Sequence, residues 1–160
     1  MPMYRHNQNH SRHISLHDCR AGRMTLENGV LSLIFPDGIW VTPEHEENPT
    51  QNVVRTGEAQ VDFTILDEEI DGITVYVYRR GRKGKVWREE WEAQNFIDAV
   101  NEGSFQLEFL YDYRQKGAPY RLYHCVVWFE QRPYCYECEL YLHTESAVYR
   151  WNELRCDRIW

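Results

Sequence analysis

The densest group of reactive side chains in the sequence is His17, Asp18, Cys19 and Arg20. A thiol beside an imidazole and a guanidinium could act as a nucleophile of low pKa. Because successive residues of an extended strand point to opposite faces, His17 and Cys19 would share one face. No nucleophile elbow accompanies them. We therefore keep His17, Asp18 and Cys19 as catalytic candidates but favour a structural role for them.

A second motif that could do chemistry is the pair Cys135 and Cys138. Zinc and redox sites place such a pair on a turn, and zinc knuckles add a second pair. Here both cysteines lie within an alternating strand pattern, so their side chains should face opposite sides of a sheet. The chain has five cysteines at irregular spacing, which suits reduced thiols. We predict no bound metal and no cofactor.

Charged side chains cluster at three places that could contact a partner. An acidic run lies in a polar loop at residues 42–56, and a basic run with two glycines follows at residues 79–85. The basic run has four possible roles: a solvated hairpin tip, a phosphate contact, a contact with an acidic partner, or self-association with the acidic loop. The third group consists of Glu137 and Glu139, which alternate with aromatic and apolar residues over 134–142. The candidate partner-binding residues are Glu44, Glu46, Glu47, Arg79, Arg80, Arg82, Lys83, Glu137 and Glu139.

The element that must position most of these groups is a predicted antiparallel meander over residues 104–143. Polar and apolar residues alternate over 105–113 and again over 134–142, which is the period of a half-buried strand. Residues 120–129 are apolar or aromatic on both faces, as in a central strand covered on both sides. The polar face of this meander would carry Glu137 and Glu139.

The remaining pattern predicts further strands and a single helix. Asn28 and Gly29 separate two apolar runs, which is the strongest short signal of a hairpin. Alternation over 59–65, a turn at 67–72 and a return strand at 73–78 follow. An apolar stripe predicts a helix over about 88–102, ended by Gly103.

These elements predict an α+β domain, mainly antiparallel. Seven to eight strands, the last an edge strand at 147–151, would form a strongly curved sheet or an open barrel around the one helix. We expect residues 1–13, which are polar and rich in histidine, to be a flexible leader. Residues 14–160 should form a single domain.

The net charge and the distribution of apolar residues limit which classes of partner are expected. The net charge of −7 disfavours nucleic acid and anionic membranes and suits a basic protein. No apolar run reaches the roughly 20 residues that cross a bilayer. The first residues lack the hydrophobic stretch of a secretion signal, so a cytoplasmic location is expected.

Residues 16–41 also resemble a known group of proteins. A histidine-aspartate entry at His17 and Asp18, the Asn28-Gly29 turn and the segment 36–41 resemble small uncharacterised bacterial immunity-like domains of polymorphic toxin systems. The resemblance implies a cytoplasmic acidic inhibitor that binds a toxin. It assigns no role to any single residue.

Three functions follow as hypotheses. The first is a non-enzymatic protein-binding domain, an immunity-like inhibitor of a basic toxin being its most specific form. The second is a structural or self-assembling module, which would form a homo-oligomer. The third is a small-molecule-binding or hydrolytic barrel that uses His17 and Cys19.

Overall fold

A computed structural model of the chain describes residues 4–66 and 72–160, where it contains fourteen β-strands and the helix α1 (Ala93–Glu102). The strands are β1 (His6–Gln8), β2 (Ile14–Ser15), β3 (Cys19–Ala21), β4 (Arg23–Glu27), β5 (Val30–Phe35), β6 (Trp40–Val41), β7 (Val54–Thr56), β8 (Ala59–Ile65), β9 (Ile73–Arg80), β10 (Val86–Trp91), β11 (Gln106–Arg114), β12 (Tyr120–Trp128), β13 (Cys135–Trp151) and β14 (Leu154–Ile159). Every pair of strands in this part of the chain is antiparallel. The predicted α+β class is confirmed.

The strands form two open sheets. The larger sheet has ten strands, seven of them in the order β3-β11-β12-β13-β8-β5-β4, and the smaller has the order β14-β7-β6-β2. The strand β13 organises the larger sheet, because its first half pairs with β12 and β9 and its second half with β8 and β1. The register shifts between Thr144 and Ser146, where β13 passes from one set of partners to the other.

The predicted meander is confirmed as β11, β12 and β13. The strand β13 runs on to Trp151, so the edge strand expected at 147–151 is its second half. The predicted hairpin is also confirmed, as β4 and β5. Asn28 and Gly29 have φ angles of 51° and 74°, the positive values that a type I′ turn requires. The turn expected at 67–72 lies, except for its last residue, outside the described residues.

The predicted number of seven to eight strands was too low. The additional strands are short: β1, β2, β6, β7 and β14 have two to six residues each. Their partners are often distant in sequence, so no local period announces them. The expected first strand also divides into β2 and β3, because Asp18 adopts a φ of 58°, which an extended strand does not contain.

The predicted helix over about 88–102 began too early. Residues 86–91 form β10, which pairs with β9 along its whole length. Cross-strand contacts outweigh the helix propensity of its glutamates: the Arg79 guanidinium lies 3.3 Å from a Glu89 carboxylate oxygen, and that of Arg88 lies 3.9 Å from the centre of the Tyr76 ring. The helix begins at Ala93 and ends, as predicted, at Gly103, whose φ is 75°.

The core lies between the sheets' inner faces and the apolar side of α1. Phe96, Ile97 and Val100 of the helix are buried against it. The Asn101 side chain fixes the helix to β4, since its amide nitrogen donates to the Met24 carbonyl and its oxygen accepts from the Met24 N–H. This amide therefore completes the hydrogen bonding of one residue in an edge strand.

The described part of the segment expected to be a leader, residues 4–13, contains β1. This strand pairs with the end of β13, and the His6 ring stacks on Trp151 with ring centres 5.4 Å apart. The histidines of this segment therefore lie against the domain surface near the acidic loop.

Candidate functional site

Aromatic side chains cover much of the outer surface of the meander and of β9. Residues directly opposite each other in an antiparallel pair point to the same face. The register places Tyr111 opposite His124, His124 opposite Glu139, and Glu139 opposite Tyr76. The alternate residues of β12 are buried in the core, so this row points outward. We call this surface the aromatic face; it consists of Tyr76, Tyr78, Tyr111, Tyr113, Tyr120, Leu122, His124, Val126, Trp128, Glu139 and Tyr141.

The aromatic face is open to solvent, contrary to the expectation that residues 120–129 are covered on both sides. Only the inner side chains of β12 are buried, and the outer ones are partly exposed. Tyr111, Tyr113 and Tyr120 retain 52%, 54% and 38% of their accessible surface. Large aromatic side chains exposed together are typical of an interaction surface.

Glu139 holds the centre of the aromatic face in place. Its carboxylate accepts hydrogen bonds from the Tyr78 hydroxyl at 2.6 Å and from the Tyr141 hydroxyl at 2.7 Å. The hydrogen bond to this carboxylate, with burial, raises the pKa of Tyr141 to about 12 and also raises that of Tyr78. Both hydroxyls therefore remain protonated donors at neutral pH, and the rings lose little further rotamer freedom when a partner binds.

Charged pairs border the aromatic face. Glu108 accepts a hydrogen bond from Trp128 Nε1 at 2.8 Å and lies 3.3 Å from the Arg20 guanidinium. At the opposite border the Arg80 guanidinium lies 3.8 Å from the Glu137 carboxylate. The exposed Arg80–Glu137 pair stabilises the fold little, but both pairs present charge of both signs around the aromatic centre.

His17 extends the aromatic surface towards the smaller sheet. Its ring stacks on Trp160 at 5.1 Å and contacts Tyr111 at 5.4 Å, and Trp160 in turn contacts Trp40 at 5.3 Å. His17 Nδ1 donates to the Leu110 carbonyl oxygen at 2.6 Å. The imidazole thus acts as one member of an aromatic stack whose orientation is fixed by the backbone of β11.

No family model, no curated protein and no solved structure matches the chain. Within residues 4–66 and 72–160, no helix is long and apolar enough to cross a membrane.

Cys19 does not share the environment of His17. The left-handed Asp18 breaks the alternation, so the His17 ring turns to the aromatic stack while the Cys19 thiol is fully buried. The thiol contacts the Ser15 and His17 carbonyl oxygens and Arg55. Burial raises the pKa of Cys19 to about 12, although Arg55 lowers it in part, so the thiol is protonated at neutral pH. This environment does not supply the thiolate that nucleophilic catalysis needs.

Thiol labelling tests this account of the cysteines. All five are free; Cys19, Cys125 and Cys138 are buried, while Cys135 and Cys156 are exposed. We expect Ellman's reagent to modify Cys135 and Cys156 in the folded protein and the other three only after unfolding. The Cys135→Ser variant should lose one fast-reacting thiol, whereas Cys19→Ser should lose none. A fast-reacting Cys19 would contradict the assigned burial.

The two cysteines separated by two residues lie as the strand period predicts. Cys138 is fully buried in the core face of β13, and Cys135 is exposed at its start. Burial raises the pKa of Cys138 above its ordinary value. Within the described part of the chain, no group of three His, Cys, Asp or Glu side chains is placed to hold a metal ion.

The acidic loop meets the histidine-rich segment, not the aromatic face. Glu44, Glu46 and Glu47 line an open cleft of about 800 Å³, together with His6 and three other histidines. His6 Nδ1 lies 4.0 Å from a Glu47 carboxylate oxygen. In the sequence the acidic loop and the histidine-rich segment are two separate features, and the pairing of β1 with β13 brings them together.

His45, within this loop, gives the cleft a pH dependence. The side chain is buried, its Nε2 donates to Gln8 Oε1 at 2.7 Å, and its Nδ1 accepts from the Glu47 N–H at 3.1 Å. This pattern requires the neutral ring, and burial lowers the pKa of His45, although the neighbouring glutamates raise it in part. The unfolded chain then binds the proton more readily than the folded one.

We therefore expect the unfolding free energy to fall as the pH drops below about 6.5, the ordinary pKa of histidine. The stabilising contribution of the neutral His45 ring is fully present above about pH 6.5, the pKa of the unfolded chain. It is lost as the pH falls through the lower pKa that His45 has in the folded protein. Urea unfolding of the wild type and His45→Gln from pH 8 to pH 5 measures it. The variant should lose part of the slope, while the control His10→Gln, at an exposed position, should keep it. Equal slopes in all three proteins would contradict the assignment.

The basic run divides between two surfaces. Arg80 is on the border of the aromatic face, whereas Arg79 points to the opposite side of β9, 4.7 Å from the centre of the Tyr136 ring. Arg82 and Lys83 lie exposed in the short 3-10 turn Arg82–Gly84, which forms the tip of the β9–β10 hairpin. Of the nine predicted partner-binding residues, Arg80, Glu137 and Glu139 are thus the ones gathered at this face.

The sequence did contain a signal for the residues that were missed. Tyr111, Tyr113, Leu122, His124 and Tyr141 occupy alternate positions of their strands. In β12 and β13 this period identifies two faces but not which is buried, since both carry aromatic residues. In β11 it would place Tyr111 and Tyr113 on the same face as the buried Phe109, but the register shifts between Phe109 and Tyr111, so these two tyrosines point outward.

Proposed function

We propose that this protein is a non-enzymatic protein-binding domain that holds its partner on the aromatic face. The observation that carries the proposal is the row Tyr111, His124, Glu139 and Tyr76, in which aromatic rings flank a carboxylate held by two tyrosine hydroxyls. Tyrosine and tryptophan are enriched among the residues that dominate binding energy, because they bury a large area at small entropic cost.

The charge of the protein favours a basic partner. The chain has a net charge of −7, and Glu108, Glu137 and Glu139 lie on or beside the face. The excess negative charge would attract a basic protein over a long range and raise the association rate. We infer that contacts with the aromatic side chains then determine the lifetime of the complex.

A narrower proposal is an immunity-like inhibitor of a basic toxin, acting in the bacterial cytoplasm. It rests on the resemblance at residues 16–41 and on the acidic charge. The His17 stack adjoins the aromatic face through Tyr111, so the resembling segment supplies part of the proposed surface. A toxin held there would be inhibited if the contact covers its active site.

One observation favours a second candidate, a self-assembling module. The strand β10 lies at the edge of the larger sheet, pairing within the described residues with β9 alone. Its Val86 and Trp87 are 55% and 44% exposed. Open strand edges can pair with another copy of the chain. Sedimentation at increasing micromolar concentrations distinguishes this candidate, since it predicts a mass that rises with concentration and the first proposal does not require one.

The first proposal is tested by quantitative capture from a lysate of the source organism, followed by binding of the purified candidate. Wild type, the double variant Tyr111→Ser with Tyr113→Ser, and the control Tyr134→Ser are compared. Tyr134 is 51% exposed, close to the values for the other two, but it lies in the β12–β13 turn and is not one of the residues of the aromatic face. The proposal predicts a partner retained by wild type and control and lost by the double variant.

Two further results would decide the partner's character. For a basic partner, the association rate should fall steeply as salt increases, while the dissociation rate changes little. Equal retention of the purified partner by all three proteins would refute the aromatic face as the binding site.

A further inference from the structure

A buried arginine lies at the far end of the core, away from the aromatic face. Arg121 is the second residue of β12, and its side chain points inward with only 7% of its surface exposed. The guanidinium lies 5.7 Å from the centre of the Phe63 ring. A guanidinium remains charged at every physiological pH, so the fold has buried a permanent positive charge.

The partners of Arg121 are neutral. Its Nη1 donates to the Tyr149 hydroxyl at 3.2 Å and to the Tyr123 hydroxyl at 3.4 Å. Burial raises the pKa of Tyr123 well above its ordinary value, so this hydroxyl does not ionise to neutralise the charge. Among residues 4–66 and 72–160, no ion pair includes Arg121.

This arrangement departs from the usual treatment of buried charge. Buried ions in proteins are normally paired with an opposite charge, because neutral partners offset the cost of desolvation only in part. The two hydroxyls occupy one nitrogen of the guanidinium. The planar guanidinium group is suited to a carboxylate or a phosphate group, which it can bind through two parallel hydrogen bonds.

A cavity gives outside molecules access to Arg121. It is an open groove with a volume of about 330 Å³, bordered by the β11–β12 turn, residues 115–119, and by the bulge of β13 at Thr144. Arg114 contributes a second guanidinium to its wall, and Glu145 contributes an exposed carboxylate. Arg114 is also tied to Asp112 at 3.6 Å and donates to the Ser11 hydroxyl.

We propose that this cavity is a binding site for a small oxyanion, a phosphate or carboxylate group, with Arg121 as the principal donor and Arg114 as the second. The bulge at Thr144 forms part of the cavity wall, and the Thr144 hydroxyl is already engaged with the Thr64 and Ser146 carbonyl oxygens. The anion would supply the counter-charge that Tyr123 and Tyr149 do not. Tyr120, an outer residue of the aromatic face, also lines the cavity, whereas the two donors Arg121 and Arg114 lie opposite each other on the inner side of the sheet. The anion-binding proposal does not rest on the protein-binding proposal.

The test uses the full chain and three probes: sodium phosphate, sodium sulfate and sodium acetate, each against sodium chloride at equal ionic strength. Binding is followed by the NMR signals of the arginine Nε–H groups and by the midpoint of thermal unfolding. We expect a saturable shift of the Arg121 signal and a raised midpoint with at least one probe. Phosphate and sulfate acting without acetate identify a phosphate-type site, and acetate acting alone identifies a carboxylate-type site.

Three variants determine where the anion binds. Arg121→Lys, which lacks the Arg121 signal, should abolish the saturable rise of the unfolding midpoint, and Arg114→Gln, at a half-exposed position, should weaken the binding at least threefold. The matched control Arg132→Gln, exposed in the β12–β13 turn, should leave it unchanged. If Arg121→Lys fails to fold, Arg114→Gln against Arg132→Gln still decides. The absence of a saturable response to all three probes, or equal affinity in Arg114→Gln and wild type, would overturn the proposal.

Discussion

Replacing Tyr141 by alanine is expected to weaken partner binding by about 2 kcal/mol, a loss of about 30-fold in affinity. The ring lies near the centre of the aromatic face, with its centre 5.8 Å from that of Tyr76, and its hydroxyl donates to Glu139. Central aromatic anchors shielded from water contribute most to binding, and the alanine also leaves Glu139 with one hydrogen bond fewer. Isothermal titration with the purified partner measures the loss.

Two control variants separate the contributions at this position. Tyr141→Phe keeps the ring and removes the hydroxyl, so we expect a loss of about fivefold, as for one hydrogen bond. Tyr134→Ala changes a tyrosine outside the face and should alter the affinity less than about twofold. If Tyr141→Ala and Tyr134→Ala have the same affinity, the centre of this face is not where the partner binds.

Replacing Phe109 by alanine is expected to lower the unfolding free energy by about 3–5 kcal/mol. Phe109 is 1% exposed in β11, and its ring contacts Phe35 at 5.5 Å and Tyr123 at 5.2 Å. The alanine would leave a cavity between β5, β11 and β12 that these rigid rings cannot fill. Urea unfolding followed by circular dichroism measures the change.

The matched comparison is Tyr113→Ala in the same strand. Tyr113 is 54% exposed on the outer face, so its removal should change the unfolding free energy by no more than about 0.5 kcal/mol. The pair thus separates the inner face of β11, which stabilises the fold, from the outer face, which we assign to binding. A loss below about 1 kcal/mol for Phe109→Ala would show that the core is not packed as described.

Local sequence patterns predicted most of the central sheet. The alternation of polar and apolar residues located β8, β11 and the first half of β13, the run that is apolar or aromatic on both faces located β12, and the Asn28-Gly29 pair located the β4–β5 hairpin. These signals work because each arises within about ten residues of the chain. The same reasoning separated Cys135 from Cys138.

Long-range pairing limited the prediction elsewhere. β10 contains Glu89 and Glu90 and matches a helix as well as a strand until its pairing with β9 is known. The candidate site also depends on long-range strand pairing, because Tyr76 and Tyr111 become members of one face only when β13 pairs with β9 and β12. The sequence supplied Glu137 and Glu139 but not the tyrosines around them, since nothing local showed which face of β12 is uncovered.

Photo-crosslinking provides the most direct test that the aromatic face binds a protein. Benzoylphenylalanine is placed at Tyr113 or at Tyr134, two tyrosines that are 54% and 51% exposed but lie on and off the face. After irradiation of living cells, the account predicts a single protein linked to position 113 and absent from position 134. Linkage of the same protein at position 134 alone, or at neither position when that protein co-purifies with the wild type, would contradict it.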